Sequence, residues 1–261
     1  MRPRGGIIGA TAQPAASAFN SAAGGIWTLR EAEAFKRAGT WPSVPPEPYW
    51  LSVSLLLPFD GTNNSNTFTD FSESPKTLSG SGDAKLSTAV KKFGTASLAL
   101  DGTGDILTST SNGYTFGTDD FTVECWVYST EAIATADNGV FQIGNSLSNP
   151  NMTGIAMALN SGVPVIYSGG LQHNGSTAPV INTWHHMAMA RSGTTLKMFL
   201  DGVEQVSVTN SSNLTANQLM LGAYYNTQYP WQGYIDEFRI TKGVARYATA
   251  FTPPTASFER P

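Results

Sequence analysis

The chain predicts an all-β sandwich preceded by an extended N-terminal arm with one short helix, and three observations carry that prediction. Charged residues make up only 13% of the 261, against abundant Gly, Ser, Thr and Asn, a balance that suits strands and tight turns better than amphipathic helices. From Leu51 onward, short stretches alternate apolar and polar residues at the two-residue period of a half-buried strand. Asp-Gly pairs at Asp60, Asp101 and Asp201 follow several of these stretches, as turn residues do.

In chain order, residues 1–25 are rich in Gly, Ala and Ser, with Arg2 and Arg4 as their only charges. They cannot build a core alone. In GIWTLREAEAFKRAGTWP, Thr28 and Glu31 form a capping box. Leu29, Ala32 and Phe35 keep helical spacing, and Gly39 stands where a C-terminal cap belongs. A helix of about ten residues needs something to pack on: its own β-domain, or another subunit. Pro42, Pro45, Pro46 and Pro48 then make an extended spacer up to Trp50. The domain division is therefore an arm over 1–50 and a β-domain over 51–261.

In the β-domain, strands are expected at Val53–Phe59, Ala96–Leu100, Asp105–Thr108 and Phe121–Tyr128. In the last of these, Phe121, Val123, Cys125 and Val127 share one face, and Thr122, Glu124, Trp126 and Tyr128 the other. Further strands are expected at Gly139–Ile143, Gly154–Leu159 and Pro164–Tyr167. The clearest hairpin is TTLKMFLDGVEQVSV, turning at Asp201-Gly202. Leu219–Ala223 and Tyr234–Ile240 complete a pattern that reads as a sandwich or jelly roll.

Composition excludes several function classes. A net charge of −4 makes no electrostatic case for nucleic acid. No apolar run approaches the ~20 residues of a helical membrane span, and the apolar stretch near Met1 is too short for a secretion signal. Cys125, the only cysteine, rules out an intrachain disulfide and reads as a small buried hydrophobe.

Glycan hydrolysis needs two carboxylates about 5 to 9 Å apart. Glu124 stands alone in its strand, and Asp236-Glu237 are adjacent, so alternation would point them to opposite faces. His185 and His186 are likewise adjacent and cannot both ligate one metal from a regular strand. No catalytic residues are assigned, and the protein is expected not to be an enzyme. Calcium is the cofactor considered. It takes six to eight oxygens, and Asp60, at the end of the first strand, would approach Asp236 if the first and last strands pair. Asp70, Asp101 and Asp105 are weaker candidates. Glycan binding would use aromatic faces beside amides on a rim loop. AYYNTQYPWQG offers Tyr224, Tyr225, Asn226, Tyr229 and Trp231 for that role.

Three blocks in this order, FTVECWVY, the Trp184 strand with its Asp-Gly hairpin, and GYIDEFRITKGVARY, resemble the laminin G-like branch of the concanavalin A-like jelly rolls. The resemblance spans roughly residues 51–258 and implies a binding scaffold. It is also what places the first strand beside the last, with a Ca²⁺ near their junction. In that family's Trp-His strand the residues are structural. RPRGGIIG followed by GGIWTLREAEAFKRAGTWP is similar to leaders of tailed-bacteriophage virion proteins, as is the start LLLPFDGTNNSNTFTDFS. This second resemblance implies a non-enzymatic virion protein made in the bacterial host cytoplasm. Arg2, Arg4, Ile7, Ile8, Phe19, Trp27, Phe35 and Trp41 would anchor it to capsid or tail subunits. The jelly roll would be displayed as a capsid decoration or compact tail appendage, homo-oligomeric on the particle, holding host-surface glycan. The alternatives are a tail fibre or receptor-binding protein, and a glycan-active hydrolase.

Overall fold

Alternation along the strands builds two antiparallel sheets, as expected. The computed structural model describes residues 48–131, 138–144, 154–225 and 227–259. The helix expected before Trp41, the anchoring residues Arg2 to Trp41 and Asn226 lie outside the described residues. Leu51–Phe258 forms one unit by its own contacts.

The strands are β1 (Val53–Leu57), β2 (Ser79–Ser81), β3 (Lys85–Ser87), β4 (Ser97–Asp101), β5 (Ile106–Thr110), β6 (Phe121–Ser129), β7 (Asn138–Gly144), β8 (Ile155–Asn160) and β9 (Val163–Ser168). They continue with β10 (Leu171–Asn174), β11 (Trp184–Ser192), β12 (Thr195–Leu200), β13 (Val203–Thr209), β14 (Gln218–Leu221), β15 (Ala223–Tyr224), β16 (Tyr229–Pro230) and β17 (Gln232–Lys242). The larger sheet runs β13-β12-β11-β6-β17-β4-β3, with β1 beside β17; the smaller runs β10-β9-β8-β7-β14-β5-β2. The strands absent from the expected set are β2 (SGS), β3 (KLS) and β10 (LQHN), short and mostly polar, and the β15–β16 pair (AY and YP), two residues each and read as a loop; none carries an apolar alternation to read.

The core lies between the sheets. Val123, Cys125 and Val127 of β6 and Ile235, Phe238 and Ile240 of β17 face Phe141, Ile143, Met157 and Leu219 of the smaller sheet. Phe141 meets Phe238 edge-on across the gap, ring centroids 5.8 Å apart. Cys125 is fully buried, and burial pushes its thiol pKa up.

The β12–β13 turn has Asp201 at φ +50° and Gly202 at φ +78°, the left-handed pair of a two-residue hairpin. A side chain at Gly202 would also collide with the carbonyl oxygen of Phe251. β1 pairs antiparallel with β17, Leu57 opposite Phe238. One expectation fails nearby. A bulge between Asp236 and Arg239, with Glu237 at φ +50°, breaks the strict alternation expected for Asp236-Glu237. Asp236 reaches the loop at Lys92–Phe93, while Glu237 accepts from Phe258 N–H and pairs with the Ser257 hydroxyl.

Candidate functional site

The outward faces of the two sheets differ. On the larger sheet, the polar face of β6 is closed by residues 243–258. Glu124 is fully buried. Arg239 donates from Nε and Nη2 to its Oε1 at 3.0 and 2.7 Å, Tyr247 donates to Oε2 at 2.7 Å, and His186 Nε2 lies 3.1 Å from Oε2. Burial alone would favour the neutral acid, but Arg239 and His186 outweigh it and hold Glu124 well below the usual carboxylate range. Burial and the Glu124 charge push the Tyr247 hydroxyl pKa up. Over this cluster Phe251 stacks on Tyr247 and packs edge-on against His186 and Phe199. The Arg239 guanidinium lies 3.6 Å from the Phe258 ring centroid. Glu124 thus has charged and hydrogen-bonding partners and no opening to a substrate.

On the smaller sheet, strand pairing aligns one transverse row on the outward face: Tyr167, Ala156, Gln142, Met220, Thr108 and Ser79. Their chain neighbours Ile166, Met157, Ile143, Leu219 and Leu107 point into the core. The β15–β16 hairpin folds over one end of this row. Gly139 permits the approach, because a Cβ there would strike the backbone of Ala223 and Tyr224. Tyr224 stacks between Tyr167 and Tyr229, with centroids 4.7 and 5.0 Å apart. Tyr225 N–H donates to Gln142 Oε1 at 2.8 Å, and the Tyr225 ring, 36% exposed, lies 6.3 Å from that of Tyr229. At the row's other end Lys76, Ser79, Thr108, Thr110 and Gln218 line a groove of about 590 Å³. Aromatic rings at one end and hydroxyl and amide groups at the other are the recognition groups of a polyhydroxylated ligand.

The sequence-predicted residues divide. Tyr224, Tyr225 and Tyr229 come together. Trp231 does not join them: it is buried in the core cluster, because β16 ends at Pro230 and the chain turns inward there. Thr108 and Gln218 were missed; they lie on β5 and β14, strands far apart in the chain, and only cross-strand register brings them together.

Asp60 and Asp236, the residues expected to hold calcium, are engaged by donors of the protein itself. Asp236 spends Oδ2 on the N–H groups of Lys92 and Phe93, and Oδ1 on that of Glu237. Asp60 Oδ1 accepts from Thr95 N–H and its hydroxyl. Both carboxylates hold the 92–95 loop through these bonds. Burial lifts the Asp236 pKa to about 8. Asp70 likewise accepts from the N–H groups of Leu56, Ser72 and Lys76. The carboxylates that do converge are Asp83, Asp101 and Asp105, within 4.8 Å of one another, and Asp105 already accepts from the N–H groups of Asp83 and Asp101.

His185 and His186 diverge as expected. His186 joins Glu124, while His185 Nδ1 lies 2.6 Å from Asp201. That Asp201 hydrogen bond raises the His185 pKa.

The architecture agrees with the comparisons. Residues 101–247 match the concanavalin A-like lectin/glucanases superfamily, and the chain belongs to that family. A search of curated proteins finds no relative. Among solved structures, the chain is similar to domain 4 of AbnA, a GH43 extracellular arabinanase from Geobacillus stearothermophilus, in complex with arabinotriose. The identity is 20%, over 76% of this chain and 96% of that one, with a TM-score of 0.56. It is similar to the botulinum neurotoxin serotype D/C binding domain at 13% identity and a TM-score of 0.56, over 75% of this chain and 50% of that one. The binding domain of Paraclostridial Mosquitocidal Protein 1 gives 13%, 75%, 50% and 0.57. The chain thus spans about half the length of these toxin binding domains. At such identities the likeness is one of fold.

Proposed function

We propose that this protein is a non-enzymatic display module whose jelly roll binds surface glycan, and that residues 1–50 anchor it to a bacteriophage particle. The observation that carries the glycan reading lies on the smaller sheet, where Tyr225 and Tyr229 stand at one end of the outward row and the Thr108–Gln218 groove at the other. Aromatic rings supply flat apolar contact to a sugar ring, and the hydroxyls and amide supply directional bonds. A solved structure of similar fold holds arabinotriose, and the titles of toxin neighbours name gangliosides and a sialylated ligand, which supports the same ligand class here. The closed surroundings of Glu124 support binding over hydrolysis.

The test is a glycan array with the full chain, followed by calorimetry on any hit with Tyr225→Ala and Tyr229→Ala. The reading expects a weak hit that both variants weaken. An array with no hits, or a hit indifferent to both tyrosines, removes it.

The anchor reading rests on the arm's resemblance to phage leaders. Cryo-EM of the particle tests it: residues 1–50 ordered across neighbouring subunits support it, and residues 1–50 folded back on their own β-domain overturn it. Hundreds of copies would make the protein a capsid decoration, and a few to tens a tail appendage or receptor-binding fibre. Many copies would raise a weak glycan affinity by avidity.

A further inference from the structure

One row of the larger sheet's outward face stays partly exposed. Strand register sets Trp184 of β11 opposite Tyr128 of β6, Tyr128 opposite Tyr234 of β17, Tyr234 opposite Ala99 of β4, and Ala99 opposite Lys85 of β3. All five are half-buried, while their chain neighbours Val127, Ile235, Leu98 and Leu86 belong to the core. The Tyr128 ring meets those of Trp184 and Tyr234 at 5.5 and 5.8 Å between centroids. The preceding outward residue of β6, Trp126, is different. It is 5% exposed, with Phe93 edge-on against it and Lys92 Nζ 3.9 Å from its ring centroid.

Two features make the row more than sheet packing. Among the described residues, the Tyr128 and Tyr234 hydroxyls, the Trp184 indole N–H and the Gln232 amide have no hydrogen-bond partner in the chain. Unlike the indole N–H groups of Trp126 and Trp231, they are not shut away from solvent. The row also ends in a pocket of about 270 Å³, whose lining includes Tyr234, Ala99, Gln232, Asp101, Lys85 and Asp83. The short Ala99 side chain leaves the gap between Tyr234 and Lys85. Asp83 and Asp101 are exposed. Asp83 pairs with Lys85 at 3.0 Å, and Asp101 Oδ1 accepts from Thr103 N–H. A carboxylate has about four lone-pair sites, so both keep room for ligand hydroxyls.

Aromatic rings along the row, with an amide and hydroxyl acceptors at its end, select a ligand that has apolar faces and many hydroxyls. The strip is one residue deep, between the covered Trp126 and the strand ends at Ser129 and Gln232. That is narrow for a protein partner, which needs about 800 Å². Strands spaced by roughly 4.8 Å make the row about 19 Å long from Trp184 to Lys85, which suits a chain of several sugar rings. Asp83, Asp101 and Asp105 against Lys85 make the pocket end negative, which disfavours an acidic sugar.

We propose that the Trp184–Tyr128–Tyr234 row and the Gln232–Asp101 pocket form a second binding site, for a neutral oligosaccharide. It lies on the other sheet from Tyr225 and Tyr229 and does not depend on the reading given to them.

The test is an NMR titration of the full chain that follows the Trp184 indole N–H resonance, assigned with Trp184→Phe. The probes are maltotetraose, cellotetraose and xylotetraose, with tetragalacturonic acid as the charged counterpart. At least one neutral tetrasaccharide should shift the resonance saturably, and tetragalacturonate should bind at least about tenfold more weakly. Tyr234→Ala should weaken the neutral ligand about three- to tenfold, the worth of one aromatic contact. Gln232→Ala removes an amide with no partner in the chain and should weaken it about threefold. That variant keeps the test informative if Tyr234→Ala does not fold. Tyr225→Ala should change nothing at this resonance, which separates the site from the tyrosine hairpin. Three results overturn the proposal: no neutral tetrasaccharide moves the resonance; tetragalacturonate binds as tightly; or binding is indifferent to both Tyr234→Ala and Gln232→Ala.

Discussion

The outward faces of the two sheets start from the same strand chemistry and end differently. That of the larger sheet carries Glu124, His186 and Arg239, and residues 243–258 seal it with Tyr247, Phe251 and Phe258. That of the smaller sheet carries neutral groups: Gln142 and Met220 are fully buried, the β15–β16 hairpin donates Tyr225 N–H to Gln142, and Thr108 lines a groove at the far end. On the larger sheet, charge is therefore a device for closing a surface. In a fold whose relatives include glucanases, the lone strand carboxylate reads first as a catalytic candidate, and here it is the keystone of the covered face.

The comparison breaks most readily at Glu124. Glu124→Gln leaves Arg239 buried without its counter-charge and should cost about 3–5 kcal/mol, read from the urea midpoint. A loss below about 1 kcal/mol would mean that the covered face is held by apolar contact alone. Because Glu124 has a depressed pKa when folded, its contribution is present above its unfolded value and lost only as pH falls through the lower folded one.

Tyr247→Phe removes a hydrogen bond to a charged group, and about 1.5–3 kcal/mol should go with it. Glycan binding, if the tyrosine end of the smaller sheet is independent, should survive that change.

Tyr229→Ala and Tyr225→Ala should reduce glycan affinity roughly three- to tenfold, the worth of a lost aromatic contact. Tyr225→Ala should leave the melting temperature near that of the parent. A Tyr225 variant that melts early without losing affinity would make the hairpin a packing element.

His185→Gln tests the pair at the sandwich end. Asp201 raises the His185 pKa, so the pair's stabilisation is complete below the unfolded histidine value near about 6.5 and fades as pH rises through the folded one. Burial opposes ionisation of Asp201, yet bonds from His185 and from His186 N–H lower its pKa, so its share fades in acid instead. The melting-temperature gap between parent and variant should therefore be wider at pH 6 than at pH 9, and an equal gap would detach the pair from stability.

The smallest effect expected is that of calcium. With Asp60 and Asp236 committed to N–H donors, millimolar Ca²⁺ against EDTA should move the melting point by less than about 1 °C, where tight binding would add several degrees. A larger rise would assign an ion, and Asp101→Asn would test the carboxylate group that converges among the described residues.

What the sequence made legible is what local pattern encodes. Alternation marks β6, β8 and β12, the Asp201-Gly202 pair marks its hairpin, and adjacency separates His185 from His186. What it hid depends on register between distant segments. Glu124 and Arg239 lie 115 positions apart, and Thr108, Gln142 and Met220 share a row only because β5, β14 and β7 are neighbours. The bulge after Asp236 hid for another reason: Asp-Glu-Phe-Arg alternates acceptably as a plain strand, and only the contacts of both carboxylates show that it does not. Trp231 was grouped with the tyrosines because it is near them in the chain, and Pro230 ends the short strand just before it.

β17 is the last strand in order of synthesis, and it lies at the middle of its sheet, between β6 on one side and β4 and β1 on the other. A ribosome therefore delivers three strands well before the one that joins them. Until Lys242 has emerged, β1, β4 and β6 present open hydrogen-bonding edges, and the Glu124 carboxylate has no arginine. Productive assembly must wait for nearly the whole β-domain to leave the exit tunnel, and pairing across such separations is slow. The nascent chain is thus exposed to edge-to-edge association until β17 is out of the tunnel.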